Sequence, residues 1–436
     1  MPSTMTILQA EEWLRQRQFF TIKLGLDTTR AMLDELGNPQ DQLQKIIHIA
    51  GTNGKGSVGA NLLAMLSAAG FRTGFYSSPH LVNVRERFRI NDALMPEADF
   101  AALIARLAAL TDSRHHQPTY FECTTLLALM WFAEQKVEAA ILEAGMGGRL
   151  DATNVVLPCI SIITDISRDH EQHLGPTIAA IAGEKAGIVK PGVPTVFSGR
   201  APEAAPVIEA RCRQLHSPLS LFGRDFLAQA AAPGTFDYQG PTGVKMAALP
   251  LALQGDHQVV NAGMALAVID LLGSVFPVSA EAITAGLQQV HWPCRMELIV
   301  VRRREKSVRV LLDGAHNEAG VAALVRNLRA DSAGCRLLFI WGNMADKDMG
   351  APLFDLLTLA ATVMLTRTES PRFAQPEALY AGLPPEIRTK TRCCETAEQA
   401  LEAMIEQAQS DDLVCVAGSL YLAGRVRQLL TEGFTA

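Results

Sequence analysis

A glycine-rich segment with a single lysine is the strongest chemical signal in the 436-residue sequence: Gly51, Thr52, Asn53, Gly54, Lys55, Gly56 and Ser57. It follows a short apolar run, 46–49, and precedes a helical pattern over 58–69. Backbone N–H groups of such a turn, the positive end of the helix and the Lys55 charge can together bind a phosphate. The segment predicts nucleotide binding. The alternative is a left-handed turn with Ser57 as the helix N-cap.

The segment departs from the usual phosphate-loop pattern in two places. Ile49 stands where the pattern has its first glycine, and Gly56 follows the lysine, so that the hydroxyl comes one residue later. The prediction therefore rests as much on the position of the segment between a strand and a helix as on its residue types.

Two further polar residues follow apolar runs. Glu143 comes directly after the run 139–142, and His170 comes shortly after the run 160–164. Ligands of open α/β sheets bind at the carboxyl ends of strands, and Mg²⁺ near phosphates takes oxygen ligands such as carboxylates. The pattern predicts a metal–nucleotide site, although an isolated histidine such as His170 is as often structural.

The elements that must position these residues alternate between short β-branched runs and helical periods, which predicts an α/β fold with a mostly parallel sheet. A second set of such elements follows Arg295. We place the domain boundary there, since Pro293 ends the preceding helix. Residues 1–295 are expected to form a P-loop-type domain and 296–436 a smaller Rossmann-like α/β domain. The stretch 219–255 is expected to be an antiparallel or irregular insertion.

The composition excludes several classes of protein. Hydrophobic residues make up 48% and the net charge is −6, which excludes a disordered chain and a basic nucleic-acid binder. No apolar run suits a membrane span, and Glu11 and Glu12 interrupt any signal-peptide core. The eight cysteines form no C-x-x-C pair, which in a large chain indicates reduced, mostly buried thiols. We expect a cytoplasmic monomer that binds small molecules, without nucleic-acid or membrane partners.

The joint order of motifs resembles folylpolyglutamate synthases and the bifunctional dihydrofolate synthases, which are relatives of the Mur ligases. The resemblance runs from about residue 10 to residue 430. Besides the segment 51–57, it rests on 76–81, 119–122, 142–154, 169–170, 184–187, 293–297, 313–317, 346–348 and 418–419.

The resemblance implies ATP contacts from Asn261, Arg295 and Asp313, and two Mg²⁺ ions. Ser78 and Glu143 would hold one ion; His170 and Lys185 would hold the other, with Lys185 carbamylated by CO₂. The alternatives are a helix-surface position for Asn261, a linker charge for Arg295 and an ion pair of Lys185 with Glu184 or another acid.

The family pattern also implies binding sites for the other two substrates. The pterin or folate would contact Thr119, Tyr120, Phe121, Glu122, Leu150, Asp151 and Ala152, although Phe121 could be ordinary core packing. L-Glutamate would contact His316 and Ser419. The alternatives are a water-facing His316 and a Ser419 that only caps the last helix.

The implied reaction is ATP-dependent addition of L-glutamate to dihydropteroate and to the γ-carboxylate of reduced folates through an acyl phosphate, with Lys55, Lys185 and His316 as catalytic residues. The alternatives within the ligases are a single-activity folylpolyglutamate synthase and a Mur-type ligase, for whose extra domain the 50 residues before Gly51 are few. Outside the ligases, the alternative is a P-loop regulatory nucleotide switch. A dinucleotide dehydrogenase is disfavoured, because no G-x-G-x-x-G opens the first helix.

Overall fold

The computed structural model describes residues 5–19, 25–114, 117–303, 306–331, 335–345, 347, 350–369 and 372–433. The chain divides into two compact units, one within residues 1–252 and 258–290, the other within 253–257 and 291–436. Each unit is built on its own parallel-rich sheet with helices, which confirms the predicted α/β fold class. The exact domain boundary at residue 295 stays a prediction.

The sheet of the first unit has the strand order β4-β3-β2-β5-β1-β6-β7-β8. Its strands are β1 (Ile46–Ala50), β2 (Thr73–Tyr76), β3 (Phe88–Ile90), β4 (Ala93–Leu94), β5 (Ala139–Glu143), β6 (Ile160–Ile163), β7 (Thr195–Phe197) and β8 (Leu219–Leu221). All pairs are parallel except those that β3 makes with β2 and β4. The central β1 is buried along its whole length, as in a sheet covered on both faces.

The stretch predicted as an insertion is only partly separate. Its first residues form β8, which pairs in parallel with β7 and so belongs to the large sheet. The remainder forms an antiparallel three-stranded sheet of β9 (Leu227–Ala230), β10 (Thr235–Gln239) and β11 (Lys245–Pro250). The prediction is therefore correct for β9 to β11 and wrong for β8.

The helices up to residue 290 are α1 (Ile7–Arg15), α2 (Asp27–Glu35), α3 (Lys55–Ala68), α4 (Glu97–Arg114), α5 (Tyr120–Glu134), α6 (Glu171–Leu174), α7 (Ile178–Lys185), α8 (Ala205–Gln214), α9 (Asp256–Leu271) and α10 (Ala280–Gln289). Short 3₁₀ helices cover Gln16–Phe19, Pro39–Gln42, Val84–Arg87, Ala152–Val155 and Ala186–Ile188. Helices α3 and α5 are apolar on nearly every face and buried.

Helix α3 begins three residues earlier than the sequence pattern predicts. Its N-cap is Gly54, whose φ of +89° is left-handed, and Lys55 is its first residue. Ser57 therefore lies inside the first turn, and the alternative that Ser57 caps the helix is wrong. The lysine is consequently held by helical backbone rather than by a loop.

The sheet of the second unit has the order β12-β13-β17-β14-β15-β16, and only β12 is antiparallel to its neighbour. Its strands are β12 (Glu297–Arg303), β13 (Lys306–Leu312), β14 (Leu337–Trp341), β15 (Ala360–Leu365), β16 (Thr391–Cys393) and β17 (Leu413–Ala417). Its helices are α11 (Glu318–Asp331), α12 (Gly350–Leu359), α13 (Pro376–Ala381), α14 (Pro385–Arg388), α15 (Ala397–Gln407) and α16 (Leu420–Thr431). Asp346 and Asp348 of the motif 346–348 lie outside the described residues.

Among the described helices, none combines the length and the apolar character that crossing a bilayer would take.

Candidate active site

The glycine-rich segment lies at the carboxyl edge of the first sheet, between two strands that also carry predicted site residues. Ile49 of β1 is in register with Glu143 of β5, and Ala50 is in register with Ile163 of β6. Parallel pairing therefore brings together the segments that follow these three strands, at the edge where open α/β sheets bind ligands.

The start of the segment is fixed against the residues after β6. A Cβ at Gly51 would collide with the Thr164 side chain, so only glycine allows this approach. The Thr164 hydroxyl donates to the carbonyl of Asn53 (2.7 Å), and the N–H of Thr52 donates to the carbonyl of Asp165 (2.7 Å). These bonds hold the turn in one conformation before any phosphate binds.

The end of the segment packs against helix α9. A Cβ at Gly54 would lie 2.6 Å from Asn261 Oδ1. Asn261 is buried and donates to Gln258 Oε1 (3.0 Å), and Gln258 Nε2 donates to the Ser57 hydroxyl (3.3 Å). Asn261 thus faces the predicted nucleotide loop, which excludes a position on the helix surface.

Lys55, Glu143 and Ser78 come together at this edge. Lys55 Nζ lies 3.7 Å from Glu143 Oε1 and donates to the carbonyl of Thr52 (3.2 Å). The Ser78 N–H faces Glu143 Oε2 at 3.4 Å, and only 4% of the Glu143 side chain is exposed. A cation, a carboxylate and a serine from three separate segments therefore surround one position.

Lys185, at the end of α7, is buried beneath the same loop. Its Nζ donates to the carbonyl of Gly51 (2.8 Å), and its relative exposure is 3%. Burial, helped by the Lys55 charge, lowers the pKa of Lys185 to about 7, although the carboxylates of Asp169, Asp151 and Asp165 oppose the shift. Glu184 pairs with Arg149 instead (2.7 Å), so the surface ion pair considered for Lys185 is wrong.

His170 is the N-cap residue of α6 in a left-handed conformation, and it is exposed. Its Nε2 lies 3.8 Å from Asp169 Oδ1. Asp169 also contributes to the charge around Lys185. His170 is therefore linked to the Lys185 region through Asp169.

The donor set suits a Mg²⁺ ion that shares its ligands with phosphate. In the described part of the chain, no three His, Cys, Asp or Glu side chains cluster tightly enough to hold a metal by themselves. Mg²⁺ commonly takes one or two protein ligands and completes its shell with substrate phosphates and water. Glu143 with Ser78, beside the phosphate loop, fits that requirement.

The residues at the start of α5 that are predicted to bind the pterin or folate, which is the acceptor of glutamate, form a capping box. The Thr119 hydroxyl accepts from the Glu122 N–H (3.2 Å), and Glu122 Oε2 accepts from the Thr119 N–H (2.7 Å). The half-buried Phe121 ring lies 6.0 Å from the Tyr76 ring and packs on Gly145, where a Cβ would come within 2.5 Å. These contacts give Thr119 and Glu122 a structural role, and acceptor binding by this segment stays a prediction.

Asp151 ends a buried hydrogen-bond chain. Its carboxylate accepts from the Met146 N–H (2.9 Å), the Thr153 N–H (3.0 Å) and the Thr153 hydroxyl (2.5 Å), and burial raises its pKa. Because the Thr153 proton is used there, His48 Nε2–H donates to Thr153 Oγ1 (2.8 Å). Burial lowers the pKa of His48 to about 3, so the ring is neutral. The hydrogen bonds from His48 through Thr153 therefore fix the orientation of the Asp151 carboxylate.

The loop that carries Leu150 and Asp151 is bonded to the end of α7. The Arg149 N–H donates to the carbonyl of Glu184 (2.8 Å), and Asn154 Nδ2 donates to the carbonyls of Arg149 (3.0 Å) and Gly187 (3.1 Å). Leu150 is half-buried, and Ala152 is buried in the 3₁₀ helix that follows. The loop predicted to bind the pterin or folate is thus hydrogen-bonded directly to the residues around Lys185.

In the second unit, the residues after β13 and β17 meet at the carboxyl edge of its own sheet. Asp313 accepts from the N–H groups of Met296 (3.0 Å) and Ala315 (2.8 Å), and Arg295 lies against Gly314. The Gly418 N–H donates to the carbonyl of Ala315 (2.9 Å). The segment with Arg295 before β12 therefore lies beside the Asp313–Ala315 turn after β13, and Arg295 contacts that turn instead of being only a linker charge.

His316 and Ser419 flank that turn. His316 Nδ1–H donates to the carbonyl of Gly314 (2.7 Å), which makes Nε2 the acceptor nitrogen of the neutral ring. The Ser419 hydroxyl accepts from the Tyr421 N–H (3.2 Å) and caps α16, as the structural alternative expects. His316 is half-buried rather than water-facing. A glutamate-binding role for either residue stays a prediction.

Sequence reasoning missed Thr164, Asp165 and Gln258 as residues that shape the phosphate loop. Thr164 and Asp165 directly follow β6, and their position after a strand was the available signal. Gln258 lies one helical turn before Asn261, but nothing in its residue type pointed to the loop.

Comparison with known proteins gives one consistent result. The Mur ligase middle domain matches residues 49–269, and the Mur ligase glutamate ligase domain matches 294–420. The dihydrofolate synthase/folylpolyglutamate synthase of Bacillus subtilis is 33% identical over 97% of this chain and 98% of its own. The folylpolyglutamate synthase of Lacticaseibacillus casei is 34% identical over 92% and 93%.

Solved structures agree along the whole chain. Escherichia coli FolC in complex with DHPP and ADP superposes with a TM-score of 0.88, at 30% identity, and covers 99% of both chains. Mycobacterium tuberculosis folylpolyglutamate synthase complexed with ADP gives 0.87, at 32% identity, over 97% of this chain and 98% of its own. The chain therefore belongs to the Mur ligase family and, within it, to the dihydrofolate synthase/folylpolyglutamate synthase enzymes, which are ATP-dependent ligases that form amide bonds.

Proposed function

We propose that the protein adds L-glutamate to dihydropteroate and to the γ-carboxylate of reduced folates, with ATP as the energy source. The observation that supports this most directly is the position of Lys55 beside Glu143 and Ser78, under a helix N-terminus at the carboxyl edge of the sheet. That arrangement is suited to holding the terminal phosphates of ATP.

In the first step, the acceptor carboxylate attacks the γ-phosphorus, the bond to ADP breaks, and an acyl phosphate forms. The N–H groups of the glycine-rich segment and the Lys55 ammonium stabilise the charge on the phosphoryl oxygens. Glu143 holds Lys55 at 3.7 Å, and Asn261 supports the loop at Gly54. The acceptor is assigned to the region of Phe121, Tyr120 and Asp151.

In the second step, the neutral α-amine of glutamate attacks the acyl carbon and inorganic phosphate leaves. His316 is assigned to the glutamate site, because its Nε2 is an acceptor nitrogen that can take a proton. Arg295 and Asp313 are assigned to ATP, and Ser419 to glutamate. Arg295, Asp313, His316 and Ser419 all belong to the second unit.

Bound Mg²⁺ would neutralise charge on the terminal phosphates, and we assign two ions. Ser78 and Glu143 would hold the first; His170 and carbamylated Lys185 would hold the second. A neutral Lys185 amine can attack CO₂, with loss of one proton, to give an anionic oxygen ligand. The lowered pKa of Lys185 supports this modification, since it raises the neutral fraction of the amine near neutral pH.

Phosphate release tests the proposal. The protein is supplied with Mg-ATP and L-glutamate, and with dihydropteroate and tetrahydrofolate in separate reactions. Glutamate-dependent release with both acceptors is expected. Release with tetrahydrofolate alone would make the protein a single-activity folylpolyglutamate synthase, like the named function of the L. casei relative. ATP binding without release in either reaction would overturn the proposal in favour of a nucleotide switch.

A further inference from the structure

A buried arginine lies beside the proposed acceptor site. Arg87 ends the 3₁₀ helix Val84–Arg87 just before β3, and its relative exposure is 6%. Its carbonyl accepts from the Ser77 N–H (3.0 Å), so it adjoins the segment that carries Ser78. Its guanidinium contacts His80, in the segment that follows β2, and lies over the Tyr120 ring.

Three side chains beside this guanidinium are uncharged. Arg87 Nε–H donates to His80 Nδ1 (2.9 Å), and burial lowers the pKa of His80 to about 3, so its ring is neutral. The Arg87 guanidinium carbon lies 5.3 Å from the centre of the Tyr120 ring. Burial raises the pKa of the nearby Tyr76 hydroxyl to about 12, which keeps it protonated despite the Arg87 charge. None of these groups neutralises the arginine.

The neighbouring carboxylates are engaged elsewhere. Glu86 accepts from the N–H groups of Leu81 (2.7 Å) and Asn83 (2.8 Å), and Glu97 pairs with Arg85 (3.0 Å). Within the described residues, no carboxylate lies within 4.0 Å of the Arg87 guanidinium nitrogens. A buried charge without a counter-ion is costly, so the site is prepared for an anion that the protein itself does not supply.

We propose that Arg87 binds a carboxylate of the acyl acceptor, with its plane supported by Tyr120 and its Nε held by His80. A guanidinium matches a carboxylate through two parallel N–H···O bonds. The inference rests on the proposed function, which supplies two sources of that group. One is the single carboxylate of dihydropteroate, and the other is the α-carboxylate of the terminal glutamate of a reduced folate.

The test compares Arg87→Gln and Arg87→Lys with a matched control, Arg85→Gln, two residues earlier on the same 3₁₀ helix. Acceptor binding is measured at equilibrium, and KM is measured for ATP, L-glutamate and both acceptors. Arg87→Gln should weaken acceptor binding about 10- to 100-fold and leave the KM for ATP unchanged, because it removes charge-assisted bonds to the acceptor alone. Arg85→Gln should bind as the wild type does.

Two neutral analogues, the carboxamide of dihydropteroate and the α-carboxamide of the reduced folate, separate this role from a structural one. For the acceptor whose carboxylate Arg87 holds, the wild type should bind the carboxamide more weakly than the acid, and Arg87→Gln should bind both with equal affinity. If the weakened affinity concerns dihydropteroate, Arg87 holds the reacting carboxylate; if it concerns only the reduced folate, Arg87 holds the α-carboxylate. Equal weakening for acid and carboxamide in Arg87→Gln would overturn the proposal.

Two further outcomes are decided by the same measurements. If Arg87→Gln does not fold, Arg87→Lys, which keeps the charge but loses the paired geometry, should still weaken binding of the acid about tenfold and of the carboxamide far less. Unchanged acid binding in folded Arg87→Lys and Arg87→Gln would overturn the inference. Absence of glutamate-dependent phosphate release in the wild type would instead overturn the proposed function, while the binding comparison still decides the role of Arg87.

Discussion

Lys185 Nζ donates a 2.8 Å hydrogen bond to the carbonyl of Gly51, although 134 residues separate the two in the chain. Lys55 bonds the carbonyl of the next residue, Thr52. Two amines thus hold consecutive carbonyls of one turn, and burial together with the Lys55 charge lowers the pKa of Lys185. The loop that is proposed to bind phosphate is therefore fixed from beneath by a lysine whose pKa is about 7.

Lys55→Ala should abolish turnover and weaken ATP binding while the fold is retained. The substitution removes a positive charge that faces the proposed phosphate site, whereas the loop keeps its bonds to Thr164 and Asp165. Phosphate release, ATP affinity and circular dichroism measure the three properties. Lys245→Ala, an exposed change on β11, is the control. Normal turnover in folded Lys55→Ala would contradict the phosphate-loop assignment.

Lys185 should make activity depend on pH and on CO₂. Its neutral amine is needed for carbamylation, and its pKa of about 7 means that the neutral fraction falls as the pH drops below 7. Activity at pH 7 should increase with added bicarbonate, and Lys185→Ala should be inactive and regain part of its activity with short carboxylates. Full activity of Lys185→Ala without any response to carboxylates would exclude the modification.

The same residue should affect stability in a defined pH range. The folded pKa of about 7 is below the ordinary 10.5, so the unfolded state binds more protons between these values. The free energy of unfolding should therefore rise with pH from about 7 to 10 more steeply in the wild type than in Lys185→Met. Denaturant unfolding in CO₂-free buffer at several pH values measures the two slopes. Equal slopes would argue against an uncharged buried amine.

Thr153→Val should destabilise the protein by about 1–3 kcal/mol, because it leaves the buried His48 Nε2–H without its partner and removes one of the three hydrogen bonds to the Asp151 carboxylate. Acceptor KM should rise as well, since Asp151 loses its orientation. Denaturant unfolding and acceptor kinetics check both effects. Thr235→Val in β10, whose hydroxyl is in an exposed hydrogen bond, should change stability by only about 0.5 kcal/mol. A neutral effect of Thr153→Val would show that the chain does not support Asp151.

His316→Ala should raise the KM for glutamate and leave ATP binding intact. The ring presents Nε2 as an acceptor at the carboxyl edge of the second sheet, while its Nδ1–H is used by Gly314. Initial rates at varied glutamate and equilibrium ATP binding separate the two effects. An unchanged KM and kcat would remove His316 from the proposed glutamate site.

The sequence predicted features that depend on local order along the chain. The glycine-rich turn after β1 and Glu143 at the end of β5 follow from apolar runs whose ends converge in a parallel sheet. The start of α3 at Lys55 was missed, because Gly54 can take the left-handed cap conformation without any capping side chain. The burial of Lys185 and Asn261 could not be predicted from the sequence either. It depends on contacts with Gly51 and Gly54, which are far away in sequence.

The bonds that join Arg149 to Glu184, Asn154 to Gly187 and Lys185 to Gly51 have a consequence for hydrogen exchange. Exchange of buried amides requires local opening, and segments that share their bonds open together. Residues 49–54, 145–154 and 184–188, although distant in sequence, should therefore exchange as one cooperative unit. Slower exchange should spread to all three when a ligand occupies any one of them.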